Sequence, residues 1–134
     1  MTQYGFRSRV TGVKLPLLTG LGLVFLLTGC QQNARNLPSV NKSAAREALQ
    51  TFLVAWKDGK KPDDLSNMIG KDSEWDQGAT LEEFEILSEE RTDGANLFLK
   101  VRRKVKTRRG DIQDQDVEYV VGTSPTVTVF RSDQ

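Results

Sequence analysis

Residues that could carry catalysis are scarce in this chain of 134 residues, which contains no histidine and one cysteine. Ser-His-Asp triads, Cys-His pairs and Cys/His zinc sites are therefore excluded. The most informative polar residue is Arg103, which alternation places on the apolar face of a predicted strand between Val101 and Val105. An unpaired guanidinium is costly there. The position predicts an anion-binding pocket, a β-bulge at Arg102-Arg103, or a side chain that reaches the sheet edge.

The pocket hypothesis groups further residues around Arg103. Tyr119, Gln115 and Trp56 are expected beside it, under a helix that covers the sheet. Trp75 and Asp76 fall in a predicted loop over residues 71–79 and are candidates for the pocket mouth. A loop tryptophan can instead close the end of the core. The spacing of the carboxylates isolates no catalytic pair, so we predict no catalytic residue, no metal site and no cofactor.

Seven of the ten residues from 100 to 109 are basic. Such a run suggests an anion-binding patch for phospholipid headgroups or a polyanionic cell-wall polymer. Acidic residues flank it on both sides, however, at Glu82, Glu83, Glu85, Glu89 and Glu90 before it and at Asp111, Asp114, Asp116 and Glu118 after it. A basic strand between two acidic strands favours cross-strand ion pairing on a solvated sheet face.

The N-terminal segment carries targeting information. Arg7, Arg9 and Lys14 are the only charged residues in positions 1–29, and an apolar run over residues 15–27 follows them. A basic segment, a short apolar run and small residues before a cleavage point are typical of a secretory signal peptide. The run is interrupted by Gly and Pro and is shorter than the roughly 20 residues that a spanning helix needs.

The residues Leu27-Thr28-Gly29-Cys30 resemble the bacterial lipobox. The resemblance implies that the thiol of Cys30 receives a diacylglyceryl group, that cleavage follows Gly29, and that acyl chains such as palmitate anchor the mature protein to membrane lipid. It further implies a cell-envelope location. With Gln31 rather than Asp after the cysteine, the expected site is the periplasmic face of the outer membrane, or the outer face of the cytoplasmic membrane in a host without one. An ordinary secretory signal with a stray cysteine is the alternative.

The chain thus divides into a signal peptide (1–29), a lipidated cysteine with a flexible tether (30–42) and a single α+β domain (43–134). Removing the signal leaves 16 basic and 18 acidic residues. This weakly acidic balance, together with secretion, argues against a nucleic-acid partner.

Apolar residues recur with helical period over Ser43–Lys57, and a second, short helix is expected between Pro62 and Gly70, with Leu65, Met68 and Ile69 on its apolar face. From Thr80 the period changes to two, which predicts four strands joined as an antiparallel meander. The predicted fold class is therefore α+β, with a long and a short helix packed on a four-stranded antiparallel sheet.

The segment from Phe52 to Gly59 (FLVAWKDG) resembles the opening of NTF2-like, cystatin-related domains, whose long helix ends near a Trp and an acidic-Gly turn. The resemblance implies a cone between helix and sheet. Enzymes of that class place Asp-His or Tyr-Asp sets in the cone, and this chain has no histidine. We therefore predict a non-enzymatic module that binds a small ligand or an envelope protein.

Two alternatives to this function stay open. The first is an enzyme that uses Tyr119, Arg103 and Asp76 as polar groups in the cone. The second is a structural domain that forms a homodimer through its outer sheet face. An apolar patch of Phe98, Val120 and Phe130 on that face would favour the homodimer.

Overall fold

The computed structural model of the protein describes Gly12 and residues 38–133. Cys30, the predicted signal peptide and residues 31–37 of the predicted tether lie outside these described residues, with the exception of Gly12. Along the domain the elements are α1 (Lys42–Lys57), a 3-10 turn (Pro62–Asp64), β1 (Ile69–Lys71), α2 (Ser73–Asp76), β2 (Thr80–Thr92), β3 (Asn96–Lys106), β4 (Ile112–Gly122) and β5 (Thr128–Arg131).

Helix α1 follows the predicted apolar stripe and begins one residue before the predicted start. The Asn41 side chain caps it by accepting a hydrogen bond from the backbone N–H of Ala44 at 3.0 Å. The stripe is buried against the sheet and comprises Ala45, Ala48, Leu49, Phe52, Leu53, Ala55 and Trp56. Within the described part of the chain, no helix is long and apolar enough to cross a membrane.

The sheet has five strands in the order β1-β5-β4-β3-β2, and β1 runs parallel to β5. The α+β class is confirmed, and the four predicted strands pair antiparallel as β2 to β5. The prediction of a four-stranded, purely antiparallel sheet is wrong because it omits the fifth, parallel strand β1. The predicted helix between Pro62 and Gly70 is also wrong. The chain makes one 3-10 turn there and then extends as β1, because the backbone N–H of Ile69 bonds the carbonyl of Val127 at 2.9 Å.

Glycine at position 70 allows this edge strand to approach α1 closely. A Cβ at Gly70 would overlap the ring of Phe52, which is itself fully buried. The strand therefore packs its backbone directly against an aromatic side chain of the helix. The local periodicity of the sequence does not predict such a contact.

Helix α2 occupies the predicted loop over residues 71–79 and carries Trp75 into the core. The Trp75 ring stacks on Trp56 at 5.6 Å between centroids and meets Phe52 edge-on at 5.0 Å. Trp75 is only 7% exposed. It therefore closes the end of the core, which is one of the two roles that the sequence left open.

Strand β3 pairs with β4 without any register shift from Asn96 to Lys106. The irregularities lie on β2, between Leu81 and Glu83 and between Ile86 and Glu90. No bulge at Arg102-Arg103 turns the side chain of Arg103 outward. Arg103 therefore faces the helix, in line with Val101 and Val105.

Candidate functional site

Arg103 is buried, with its side chain inaccessible to solvent, and it is surrounded by hydrogen-bond acceptors. Its Nε donates to Gln115 Oε1 at 2.9 Å, and its Nη1 donates to Asp72 Oδ2 at 2.7 Å and to the Tyr119 hydroxyl at 2.6 Å. Its Nη2 donates to Glu74 Oε2. We call these five residues the Arg103 network.

The members of the Arg103 network also bond to one another. The Tyr119 hydroxyl donates to Asp72 Oδ2 at 2.7 Å, and Gln115 Nε2 donates to Glu74 Oε1 at 2.8 Å. Burial raises the pKa of the Tyr119 phenol well above its ordinary value, and the neighbouring Asp72 carboxylate raises it further. The phenol therefore stays protonated and keeps donating to Asp72 at neutral pH.

The charges of this region balance. Arg131 Nη1 lies 3.5 Å from Glu74 Oε2, so the guanidinium groups of Arg103 and Arg131 face the carboxylates of Asp72 and Glu74. Arg131 also pairs with Asp133 at the rim, and this hydrogen bond raises the pKa of Arg131. The interior therefore carries paired charge rather than an excess of one sign.

Three elements position the Arg103 network. Alternation along β3 turns Arg103 inward, and the register of β4 places Gln115 directly opposite it. Asp72 connects two elements. Its Oδ1 caps α2 by accepting a hydrogen bond from the N–H of Glu74 at 2.9 Å, and its Oδ2 accepts hydrogen bonds from Arg103 and Tyr119. The network thus ties α2 to the middle of the sheet.

The Arg103 network leaves little capacity for a ligand. A guanidinium has five N–H groups, and Arg103 makes four hydrogen bonds within the network. The centroid of the Trp56 ring lies 5.2 Å from the central carbon of the guanidinium. A ligand would reach Arg103 only by displacing Asp72 or Glu74. The arrangement is that of a structural cross-link between helix and sheet.

The other predicted ligand residues border a different cleft, although Trp56 also lies beside Arg103. Trp56, Trp75 and Asp76 line an open cleft of about 520 Å³ between the end of α1 and the start of β2. The indole N–H of Trp56 donates to the carbonyl of Ala79 at 2.8 Å, and that of Trp75 donates to the carbonyl of Lys60 at 3.0 Å. Asp76 is exposed at the rim. The structure therefore brings Arg103, Tyr119 and Gln115 together and keeps Asp76 apart from them.

Sequence reasoning missed Asp72 and Glu74, the two carboxylates that neutralise Arg103. The available signal was the order Asp72-Ser73-Glu74 ahead of Trp75, because Asp is a favoured helix cap and Glu is favourable in a first turn. That signal predicts a helix start. It does not predict which strand the carboxylates face.

The outer face of the sheet confirms the predicted cross-strand ion pairing for three of the seven basic residues in the run. Strand β3 lies between β2 and β4, and acidic residues stand opposite its basic ones. The ion pairs are Lys100–Glu89, Arg102–Asp116 at 3.1 Å, Lys104–Glu83 at 3.6 Å and, from the edge strand, Arg91–Glu118 at 2.8 Å. These partners raise the pKa of Lys100 and of Arg102.

An apolar patch lies at the other end of the same face. Phe98, Val120 and Phe130 stand opposite one another across β3, β4 and β5. The guanidinium of Arg91 covers Phe98 at 3.5 Å from the ring centroid, while Phe130 is 39% exposed and Ile69 on β1 is 57% exposed. The patch is therefore partly covered at Phe98 and open towards the β1 edge.

Over residues 38–133, no group of three or more His, Cys, Asp or Glu side chains has the geometry to hold a metal ion. Comparisons of the chain with protein-family models, with curated proteins and with solved structures give no match.

Proposed function

We propose that the protein is a membrane-anchored, non-enzymatic binding module of the cell envelope. The observation that carries the binding role is that the polar groups of the Arg103 network form hydrogen bonds with one another in the interior. Contacts with a ligand or an envelope protein then fall to the surface of the domain. A reaction would need free polar groups in the cone, and Arg103 and Tyr119 are engaged there.

The anchor part of the proposal is supported by the resemblance of Leu27-Thr28-Gly29-Cys30 to a lipobox at the end of a signal-like segment. Each buried CH₂ contributes about 0.8 kcal/mol, and stable attachment takes two or more acyl chains. A lipidated Cys30 supplies such an anchor. Because Gln31 rather than Asp follows Cys30, the proposed location is the outer membrane where the host has one, and otherwise the outer face of the cytoplasmic membrane.

The domain is proposed to be NTF2-like or cystatin-like. Support comes from the long helix α1, which ends near Trp56 and the turn at Asp58-Gly59 and packs across β2, β3 and β4. Tyr119 and Arg103 lie between helix and sheet, where that class has its cone. The cone is filled here by the rings of Phe52, Trp56 and Trp75.

Replacing Cys30 with serine tests the anchor. We expect the Cys30→Ser chain to lose labelling by a radioactive fatty acid and to leave the membrane fraction, because serine offers no thiol for the diacylglyceryl group. A Thr28→Ser chain, which keeps the cysteine and a small residue before it, is the matched control. Unchanged labelling of Cys30→Ser would overturn the anchor.

Native mass spectrometry of the full chain, extracted from its own envelope in mild detergent, tests the binding role. We expect an added species of defined mass that persists in a Tyr119→Phe variant, since the binding contacts are proposed to lie outside the Arg103 network. Loss of that species in Tyr119→Phe would indicate that the ligand or partner binds in the cone. A bare chain under gentle extraction would count against a tightly held ligand or partner.

Homodimerisation is the second candidate, favoured by the exposed apolar side chains of Phe130 and Ile69 beside β1, an edge strand. Sedimentation of the chain released by Cys30→Ser tests it. A dimer that dissociates on Ile69→Lys would support this candidate, and a monomer at high concentration would overturn it.

A further inference from the structure

Three basic residues of the run from 100 to 109 differ from the others. Lys106, Arg108 and Arg109 are exposed, and none of them has an ion pair within residues 38–133. They lie at the end of β3 and in the turn to β4, beyond the last acidic partner that β2 supplies. The cross-strand pairing that neutralises the rest of β3 therefore stops before this turn.

The two arginines border an open cleft of about 440 Å³ on the helix side of the turn. Val105 and Ala79 contribute apolar surface to it, and hydrogen-bonding side chains line the remainder: Gln77, Thr107 and Gln113. We call this the hairpin cleft. It is distinct from the cleft lined by Trp56 and Trp75, although Ala79 borders both.

The charge of the hairpin cleft is positive. Its two acidic residues are Glu74 and Asp111. Both carboxylate oxygens of Glu74 are already bound, one by Gln115 and the other by Arg103. Asp111 alone stands against Arg108 and Arg109 in the lining of the cleft, so an excess of cationic side chains faces solvent there.

The hairpin cleft lies far from the point where the chain enters the domain. Residues 40 and 41 bond to Gly94 and Thr123, at the opposite end of the sheet. Strand β3 runs between the two ends, and its eleven residues span roughly 33 Å at about 3.3 Å per step. The hairpin cleft therefore lies at the end of the sheet opposite to the point where Val40 and Asn41 enter the domain.

We infer that the hairpin cleft and its unpaired arginines Arg108 and Arg109 bind a linear, phosphate-bearing polymer of the cell envelope. Guanidinium groups match the paired oxygens of phosphate, and adjacent arginines suit a chain with phosphates at regular intervals. Gln77, Gln113 and Thr107 can donate further hydrogen bonds to phosphate oxygens. The inference deepens the proposed binding function and rests on it.

Titration of the full chain in non-ionic detergent with short linear polyphosphate tests this inference. We expect binding by calorimetry, at least a tenfold weaker affinity in the double variant Arg108→Gln/Arg109→Gln, and a shallower dependence of log affinity on log salt, by about one per lost contact. A merely structural role of the arginines would leave the salt slope unchanged. Far-ultraviolet circular dichroism checks that the double variant stays folded.

Arg102→Gln is the control, because Arg102 is an exposed arginine of β3 that already pairs with Asp116. We expect it to retain wild-type affinity. Equal weakening by Arg102→Gln would show charge attraction without a site, and it would overturn the inference. So would the absence of any polyphosphate binding.

A second arm separates polymer from lipid. The same titration is repeated in detergent micelles that contain anionic phosphatidylglycerol. Undiminished polyphosphate binding supports the polymer, and displacement by the lipid would assign the cleft to headgroups and overturn the choice of polymer. Because membrane attachment is scored through Cys30, failure at the hairpin cleft is distinguishable from failure of the anchor.

Discussion

Burial of Arg103 is costly in isolation, since a guanidinium loses its hydration in a low-dielectric interior. Asp72 and Glu74 offset this cost by charge, and Gln115 and Tyr119 do so by hydrogen bonds. Removing one member of such a set destabilises the fold more than replacing the whole set with apolar residues, because the remaining charges stay buried without a partner. The Arg103 network is therefore a sensitive point for stability.

Replacing Arg103 with methionine should lower the free energy of unfolding by about 3–5 kcal/mol, because Asp72 loses its buried counter-charge and Glu74 keeps only the more distant Arg131. Tyr119→Phe should cost about 1–2 kcal/mol, since it removes one hydroxyl that both donates and accepts. Urea unfolding followed by circular dichroism measures both changes.

Arg102→Met is the control for this prediction, because the same substitution one residue earlier removes an exposed ion pair with Asp116. Its expected cost is within about 1 kcal/mol. Similar costs at positions 102 and 103 would contradict the structural role given to the Arg103 network.

The sequence allowed three of the five members of this network to be predicted. Alternation along β3 and β4 is a local property, and it placed Arg103, Gln115 and Tyr119 on the covered face. Asp72 and Glu74 approach Arg103 from about thirty residues upstream, through a helix of four residues. Such an approach depends on how β1 docks on β5, and no periodicity encodes that.

At the scale of elements, the N-terminal turn of α1 is attached to β2 by Glu90. The Glu90 carboxylate accepts from Arg46 Nη2 at 2.7 Å and from Lys42 Nζ at 3.0 Å. The hydrogen bonds from Arg46 and then Lys42 lower the pKa of Glu90 below its ordinary value of 4.5. The ion pairs hold the long helix against the edge strand of the sheet.

A lowered pKa in the folded state sets the direction of the pH dependence. The contribution of Glu90 to stability is present above pH 4.5, the ordinary value, and is lost as the pH falls through the lower pKa of the folded state. Glu90→Gln should therefore lower the melting temperature at neutral pH. The difference in melting temperature from wild type should disappear at acidic pH.

Thermal unfolding at a series of pH values measures this effect. Glu82→Gln serves as the control, since Glu82 is an exposed residue of the same strand without an ion pair in the described chain. A pH-independent difference for Glu90→Gln would show that the ion pairs with Arg46 and Lys42 contribute nothing.

Elements with a clear period could be predicted, and those without one could not. Helix α1 and strands β2 to β5 have stripes or alternation over several residues. Strand β1 has three residues and depends on hydrogen bonds to β5, almost sixty positions later. The first residue of β1, Ile69, and the preceding Leu65 and Met68 fit a helical face equally well. Only the contact with β5 therefore decides between helix and strand.

At the scale of the whole molecule, the folded domain begins before its first helix. The backbone N–H of Val40 bonds the carbonyl of Gly94 at 2.8 Å, and the N–H of Asn41 bonds the Thr123 hydroxyl at 3.1 Å. Val40 also packs against the hydrophobic core. These contacts join the chain's entry point to two turns of the sheet, although the sequence places the domain boundary at residue 43.

A chain that starts at residue 43 should therefore be less stable than one that starts at residue 38. It lacks the Asn41 cap, whose loss costs about 1 kcal/mol, the apolar contact of Val40, and the hydrogen bonds that the backbone N–H groups of Val40 and Asn41 donate. It also lacks the exposed ion pair of Lys42 with Glu90. We expect a total loss of about 2–3 kcal/mol in urea unfolding. The longer chain with Asn41→Ala isolates the cap and should lose about 1 kcal/mol. Equal stability of the two chains would place residues 38–42 outside the folded domain.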